Sequence, residues 1–381
     1  MATPDFHQEA KSWAGIKHSL LAKYLRLFVD KTGFRRDHVY YVDAFAGAGK
    51  LNDGTEGSPI YAAKLAANLT GQRQSVLKCI NVEADPDTFE ALERSTAEFV
   101  EGGYVLNLRG RFDQRRDEVL NKIGDAPALF FIDPFGTDGV ELSSLKALKG
   151  NGTIREVLVR YDDTRVKRLA SWSANHLDSL DAAAKKTAEA FKKRTNELTT
   201  PEAINTWFDG EPGARQALID GYIGEAKRQN IFKFGIAYPL RNPDTCGHRY
   251  FLVHLCNFPD GYIWIANFMN AAELEYDEQR SALQLLGGQT EFFTVKDLKK
   301  SARPQMINKI IAKIPTICES HRLVEGVKVE NRYVYAAMVD EFGWSISRTE
   351  REGAIKQLKE AGRVSSTGPK DSDLCTFNIV R

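Results

Sequence analysis

Four carboxylates, Asp43, Glu83, Asp113 and Asp133, each follow a β-branched or apolar run and stand close to a glycine or proline. Runs of that kind read as strands that deliver an acid to the carboxyl edge of an open parallel sheet, where ligands bind. An acid on that edge works by accepting hydrogen bonds. Glu83, at the tip of the second strand, can accept both hydroxyls of a ribose. Asp113 can reach the exocyclic amine of an adenine, with a helix N-cap as the alternative. Asp43 leads into Ala44-Phe45-Ala46-Gly47-Ala48-Gly49, whose glycines permit a tight turn or the close approach of a ligand. A lone Gly-x-Gly also occurs in ordinary strand-to-helix turns, so the weight lies on four acids recurring along one edge.

The elements that must position these residues follow from periodicity. Trp13, Ile16, Leu20, Leu21, Tyr24, Leu25 and Phe28 predict an amphipathic helix over 7–31, with Lys17 and His18 inside it. A turn-rich loop over 50–57 precedes Ser58-Pro59, an N-cap with proline at the first helical position, and a helix over 60–69. Strands are expected at 76–82, 104–108, 128–132 and 156–161, and the last runs into Asp162-Asp163. A polar, helical stretch over 164–210 carries Arg165, Lys167, Arg168, Lys185, Lys186, Lys192, Lys193 and Arg194. Such runs are usually solvated faces and favour nucleic acid only weakly. After a helix over 214–229, strands at 232–239 and 249–258 can pair as an antiparallel hairpin. Five βα units followed by a helix, a strand and a reversed strand give the order of a class I methyltransferase sheet; the sixth strand of a dehydrogenase stays parallel. Cys246, His248, His254 and Cys256 on that hairpin lack zinc-site spacing, so no metal is expected.

At 381 residues the chain is long enough for two domains, and 43% hydrophobic with 27% charged residues is the composition of a soluble globular protein. A net charge of +1 excludes a whole-molecule nucleic-acid signature and leaves only local basic patches. Five scattered cysteines fit reduced thiols, and neither a membrane-length apolar run nor a signal-peptide core is present, so a cytoplasmic location without membrane contact is expected. From about Val295 the pattern changes. Helices over 296–301, 305–311, 334–342 and 351–361, then strands at 364–367 and 375–380 around a Gly-Pro-Lys-Asp turn, suggest a winged helix. Its recognition helix, 351–361, would present Arg351, Lys356 and Lys359. The expected architecture is thus α/β, with a Rossmann-type seven-stranded sheet domain over 1–290, a helical insertion at about 164–210, and a winged-helix-like domain over 295–381.

These residues together resemble the three-Cys-motif partner family, class I methyltransferase-like proteins found beside a radical-SAM-like three-Cys-motif protein. The likeness rests on Lys17 with Leu21 and Tyr24-Leu25, Tyr41-Val42-Asp43-Ala44-Phe45-Ala46-Gly47-Ala48-Gly49, Gly57-Ser58-Pro59-Ile60 and Phe131-Ile132-Asp133-Pro134-Phe135-Gly136. It continues through Tyr238-Pro239-Leu240-Arg241 to the carboxyl-terminal small domain, and is thus nearly full length. A more distant likeness is to ribosomal-RNA adenine-N6 methyltransferases. The resemblance implies S-adenosylmethionine (SAM) as cofactor and S-adenosylhomocysteine as product. Asp43, Phe45, Gly47 and Gly49 would surround the methionine part, Glu83 the ribose, and Asp113 with Phe112 the adenine, with Ser58 at the helix start also counted among the cofactor-binding residues. Asp133 and Pro134 match the first half of the amino-methyltransferase Asp-Pro-Pro-aromatic motif, in which acid and proline carbonyl accept from an exocyclic amine, and Lys17 matches the leading-helix lysine. Phe135-Gly136 departs from that motif by lacking its aromatic fourth residue. The expected function is a SAM-dependent methyltransferase acting on RNA or DNA, at a base or exocyclic amine. One alternative is a SAM-binding partner of the radical-SAM-like protein with little catalysis of its own. The other is a methyltransferase of a small metabolite or peptide.

Overall fold

The computed structural model describes residues 6–34, 36–50, 54–69, 76–150, 152–242, 245, 247–286, 294–323, 326–368 and 374–377. Leu51, Asn52 and Asp53 of the first loop, Cys246 of the hairpin, Pro369-Lys370-Asp371 of the terminal turn, and the side chains of Trp13, Ile16 and His18 lie outside the described residues. Packing divides the chain into two units. The larger is Lys17–Arg241 with His248–Asn257; the smaller is Met1–Ile16, Asn242–Gly247 and Phe258–Arg381.

The larger unit takes helix α1 (Phe6–Thr32) from Lys17 onward, then alternates β1 (His38–Asp43), α2 (Ser58–Leu69), β2 (Val76–Glu83), α3 (Pro86–Glu101), β3 (Val105–Arg109), α4 (Phe112–Ile123), β4 (Ala128–Ile132), α5 (Leu142–Lys146) and β5 (Arg155–Tyr161). Helices α6 (Asp163–His176), α7 (Ala182–Leu198), α8 (Pro201–Phe208) and α9 (Ala214–Arg228) follow, and β6 (Phe234–Arg241) and β7 (His248–Cys256) close the sheet. The strand order is β3-β2-β1-β4-β5-β7-β6. β1 through β5 pair in parallel, whereas β7 runs antiparallel to both β5 and β6. This is the expected seven-stranded Rossmann-type arrangement with its reversed strand. β1 lies between β2 and β4, so the strand order turns there, the point at which open sheets form a ligand crevice.

Strand alternation gives each face its own core. Val42, Phe130, Val157 and Val159 join Val119 and Ile123 of α4 and Ile219 and Tyr222 of α9. On the opposite face α1 buries Leu20, Leu21, Tyr24, Leu25, Phe28 and Val29, the spacing of a helical stripe. The Tyr24 hydroxyl donates to the buried Glu156 carboxylate of β5, whose Oε2 also lies 2.8 Å from His254 Nε2 of β7. This hydrogen-bonded cluster is what the hairpin histidine serves. Seven residues earlier on α1, about 10 Å along the axis, Lys17 reaches Asp133. The helix is thereby fixed at two levels of the same sheet face.

In the smaller unit α10 (Pro259–Leu286) is followed by α11 (Val295–Ser320), β8 (Lys328–Glu330), α12 (Asn331–Phe342), α13 (Arg348–Glu360), β9 (Val364–Ser366) and β10 (Leu374–Phe377), with the strands ordered β8-β10-β9. Helix α10, which the sequence reading leaves with the first domain, belongs here. The two short helices expected over 296–311 are one continuous α11 that contains Pro304 and Pro315. Ile307, Ile310, Ile314 and Ile317 all bury on one side of it, and that burial holds the helix through positions where proline removes a backbone bond. Arg351 does not face solvent. It is 2% exposed, and its guanidinium donates to Asn267 Oδ1 at 2.6 Å and to the Ile346 carbonyl at 3.2 Å.

Candidate functional site

The carboxyl edge of β1 through β5 gathers the residues singled out above, and they fall into two groups. Asp43 ends β1 and is completely buried. It accepts the Tyr41 hydroxyl at 3.1 Å and the Phe45 amide at 3.3 Å, and it also bonds the Ser58 side chain. Burial pushes its carboxyl up to about 6, against the lowering effect of these donors. Asp43 therefore ties the first loop to the start of α2 from beneath and does not open into the cleft.

The two loop glycines serve different ends. Both have positive φ, +66° at Gly47 and +78° at Gly49. A Cβ on Gly49 would lie 2.3 Å from Ser95 Oγ of α3, so this glycine is required by helix packing. A Cβ on Gly47 would meet nothing within 4 Å, so the loop is open on that side. The Gly47 amide donates to Glu83 Oε2 at 2.9 Å, and the Asp85 amide donates to Oε1 at 2.8 Å. Two backbone donors thus orient Glu83 directly over the first loop, as expected of an acid that reads a ribose diol, while each oxygen keeps a second lone pair.

A cavity of about 450 Å³ opens beside Glu83. Phe45, Phe112, Asp113, Glu141 and Arg194 are among its walls. Phe112 is buried at the start of α4, and Asp113 in the same first turn is exposed and pairs with Arg111 at 3.1 Å. Arg194 of α7 pairs with both Asp138 and Glu141, so the helical insertion builds one wall. Burial raises the Glu141 carboxyl. The residues fit a SAM-sized ligand: a glycine turn open on one side, an oriented acid, and an aromatic-lined cavity bearing a further acid.

Asp133, Pro134 and Lys17 form the second group, at the end of β4. Lys17 Nζ lies 2.7 Å from Asp133 Oδ2 and 5.7 Å from the centre of the Phe131 ring. Sequence reasoning missed the second cationic partner, Arg160 of β5. Its Nη1 donates to the Pro134 carbonyl at 3.3 Å and lies 3.5 Å from Asp133 Oδ1, and its guanidinium stacks 4.5 Å over Tyr250. Arg160 was detectable as a charge in the otherwise apolar run Val157-Leu158-Val159. Phe135 is 87% exposed.

No protein-family model matches the chain, and no curated protein matches it. Among solved structures it is similar to the O-methyltransferase TomG from Streptomyces achromogenes in complex with SAM, at 13% identity over 68% of this chain and 92% of that one, with a TM-score of 0.31. A protein assigned as an O-methyltransferase from Klebsiella pneumoniae is similar at 13% identity, 68% and 92% coverage, and a TM-score of 0.32. One assigned as an rRNA methylase from Clostridium thermocellum has 12% identity, 63% and 94% coverage, and a TM-score of 0.29. Likeness of this degree assigns neither a substrate nor a residue role.

Proposed function

We propose that this chain is a SAM-dependent methyltransferase whose substrate class is nucleic acid. The carrying observation is the Gly47 amide bonded to the Glu83 carboxylate at the turning point of a β3-β2-β1-β4-β5-β7-β6 sheet. Glu83 would hold the ribose, Phe112 and Asp113 the adenine, and Phe45 with the Gly47 turn the methionine part; Asp43, Ser58 and Gly49 keep that turn in shape. SAM would supply a methyl group made electrophilic by its sulfonium. Lys17, Asp133, Pro134 and Arg160 border the place where an acceptor must approach in line.

Support for nucleic acid comes from Lys185, Lys186, Lys192 and Lys193, all exposed on α7, the helix that walls the cavity. The smaller unit adds the element order helix, strand, helix, helix, strand, strand from α11 to β10, which fits the winged-helix reading of residues 295–381. Within it α13 is charge-balanced: Arg348 pairs with Glu352 at 2.7 Å and Lys356 with Glu360 at 4.0 Å. Phosphate contact is therefore assigned to α7 more than to α13. The test is transfer of labelled methyl from SAM to RNA, to DNA and to small hydroxyl compounds. Transfer to a polynucleotide that falls steeply with salt is expected; transfer to the small compounds alone overturns the substrate class.

A second reading follows from the three-Cys-motif partner resemblance. Arg160 sits against both acceptors of the amine-orienting motif, an arrangement that would hinder transfer to an amine by this chain alone. SAM binding with transfer only after a radical-SAM-like protein is added would favour that reading.

A further inference from the structure

We infer that the acceptor atom is an oxygen, the 2′-hydroxyl of a ribonucleotide, and that Arg160 and Lys17 are the groups that hold it. The inference rests on the methyltransferase reading above and names the acceptor of that same site.

An exocyclic amine would need to donate to the Asp133 carboxylate and to the Pro134 carbonyl together. Arg160 Nη1 already occupies that position, 3.3 Å from the carbonyl and 3.5 Å from Asp133 Oδ1. Lys17 Nζ takes the other carboxylate oxygen at 2.7 Å. The guanidinium is held from behind by the Tyr250 ring at 4.5 Å, and Asp162 Oδ2 stands 3.9 Å from its Nη2. Arg160 and Lys17 thus stand where an amine would have to approach in order to donate to the acid and the carbonyl together.

Charge points the same way. An amine nitrogen gains positive character as it takes a methyl cation equivalent, and the two cationic side chains beside Asp133, offset in part by Asp162 behind Arg160, oppose that change. A hydroxyl behaves oppositely, since its oxygen gains negative character as the proton leaves, and both cations stabilise it. The O–CH3 bond forms while the CH3–S bond breaks, and sulfur keeps the electron pair as a neutral thioether. The hydroxyl proton passes to the Asp133 carboxylate and from there to water. Within a polynucleotide the internal hydroxyl is the ribose 2′-hydroxyl, which DNA lacks. Phe135, 87% exposed and adjacent to Pro134, offers a ring on which the attached base can stack.

The test begins with binding. Full-length protein saturated with S-adenosylhomocysteine, its saturation checked by titration calorimetry, is mixed with one fluorescent single-stranded RNA and with its 2′-deoxy counterpart, and anisotropy is read. Binding of RNA is expected to be roughly tenfold tighter or more, with that preference lost in Arg160→Gln and partly kept in Arg160→Lys. Thermal melting and cofactor titration of both variants check that the fold survives. Equal binding of the two oligonucleotides, or a preference untouched by Arg160→Gln, overturns the inference. Digestion of labelled RNA to nucleosides gives the second readout: 2′-O-methyl nucleosides support it, and a base-methylated nucleoside overturns it while leaving the methyltransferase standing. Failure of the methyltransferase reading itself looks different, because the calorimeter then records no binding of S-adenosylhomocysteine.

Discussion

The two halves of the sheet edge use their acids in contrasting ways. Over β1 and β2 the carboxylates are held mainly by neutral donors: Glu83 by the Gly47 and Asp85 amides, Asp43 by Tyr41, Ser58 and the Phe45 amide. Over β4 and β5, Asp133 is flanked by side-chain cations, Lys17 and Arg160. Backbone donors fix an acid in place and leave lone pairs for a neutral, hydroxyl-rich ligand. Flanking cations instead favour a group that becomes negative. One edge can therefore hold a cofactor by hydrogen bonds and, a strand away, handle the developing charge of an acceptor.

Substitutions in the two halves should separate these roles. Asp133→Ala is expected to lower methyl transfer by about a hundredfold while SAM affinity, read by calorimetry, stays within about threefold. Glu83→Ala is expected to do the reverse and weaken SAM by roughly ten- to a hundredfold, the worth of hydrogen bonds to a charged group. If both variants lose binding and turnover in parallel, the division between halves is wrong. Gly49→Ala drives a Cβ to 2.3 Å from Ser95 Oγ at a φ of +78° and is expected to destabilise by about 2 kcal/mol in denaturant unfolding. Gly47→Ala has open space and keeps only the left-handed strain, about 1 kcal/mol, so its larger effect should be on SAM affinity.

Asp43 gives a pH-dependent test of the cofactor half. Its folded carboxyl is raised to about 6, above that of an unfolded aspartate. Its stabilising contribution is then complete in acid and disappears as pH climbs through about 6. Asp43→Asn cannot ionise, so its Tm relative to wild type should improve between about pH 5 and about pH 7.5. A constant or falling difference would contradict the burial argument. Smallest of all, Lys356→Ala on α13 removes one exposed partner of an intrahelical pair and should shift stability by under about 0.5 kcal/mol.

The sheet was legible because each strand is an apolar run ended by a local signal, and because the reversed hairpin at 234–256 leaves a distinct order. Glu83 over the first loop was legible for the same reason: its place follows from strand order alone. Interactions that depend on three-dimensional register were not. Arg160 meets Pro134 across 26 positions, and nothing local to either residue announces the pairing. Arg351 sits on a helix whose pattern looks solvent-facing, and only packing against Asn267 of α10 makes it a buried donor. Gly49 reads like a ligand glycine, yet its constraint comes from Ser95, a residue of another helix. Pro304 carries a strong local break signal that the buried isoleucine face of α11 overrides.

Cofactor binding at the Gly47–Glu83 turn is tested most directly by titration calorimetry of SAM into the wild-type chain and into Glu83→Ala. One-to-one binding that weakens at least tenfold in the variant is expected. No binding to the wild type, or equal affinity in the variant, would contradict the assignment of this edge as a SAM site.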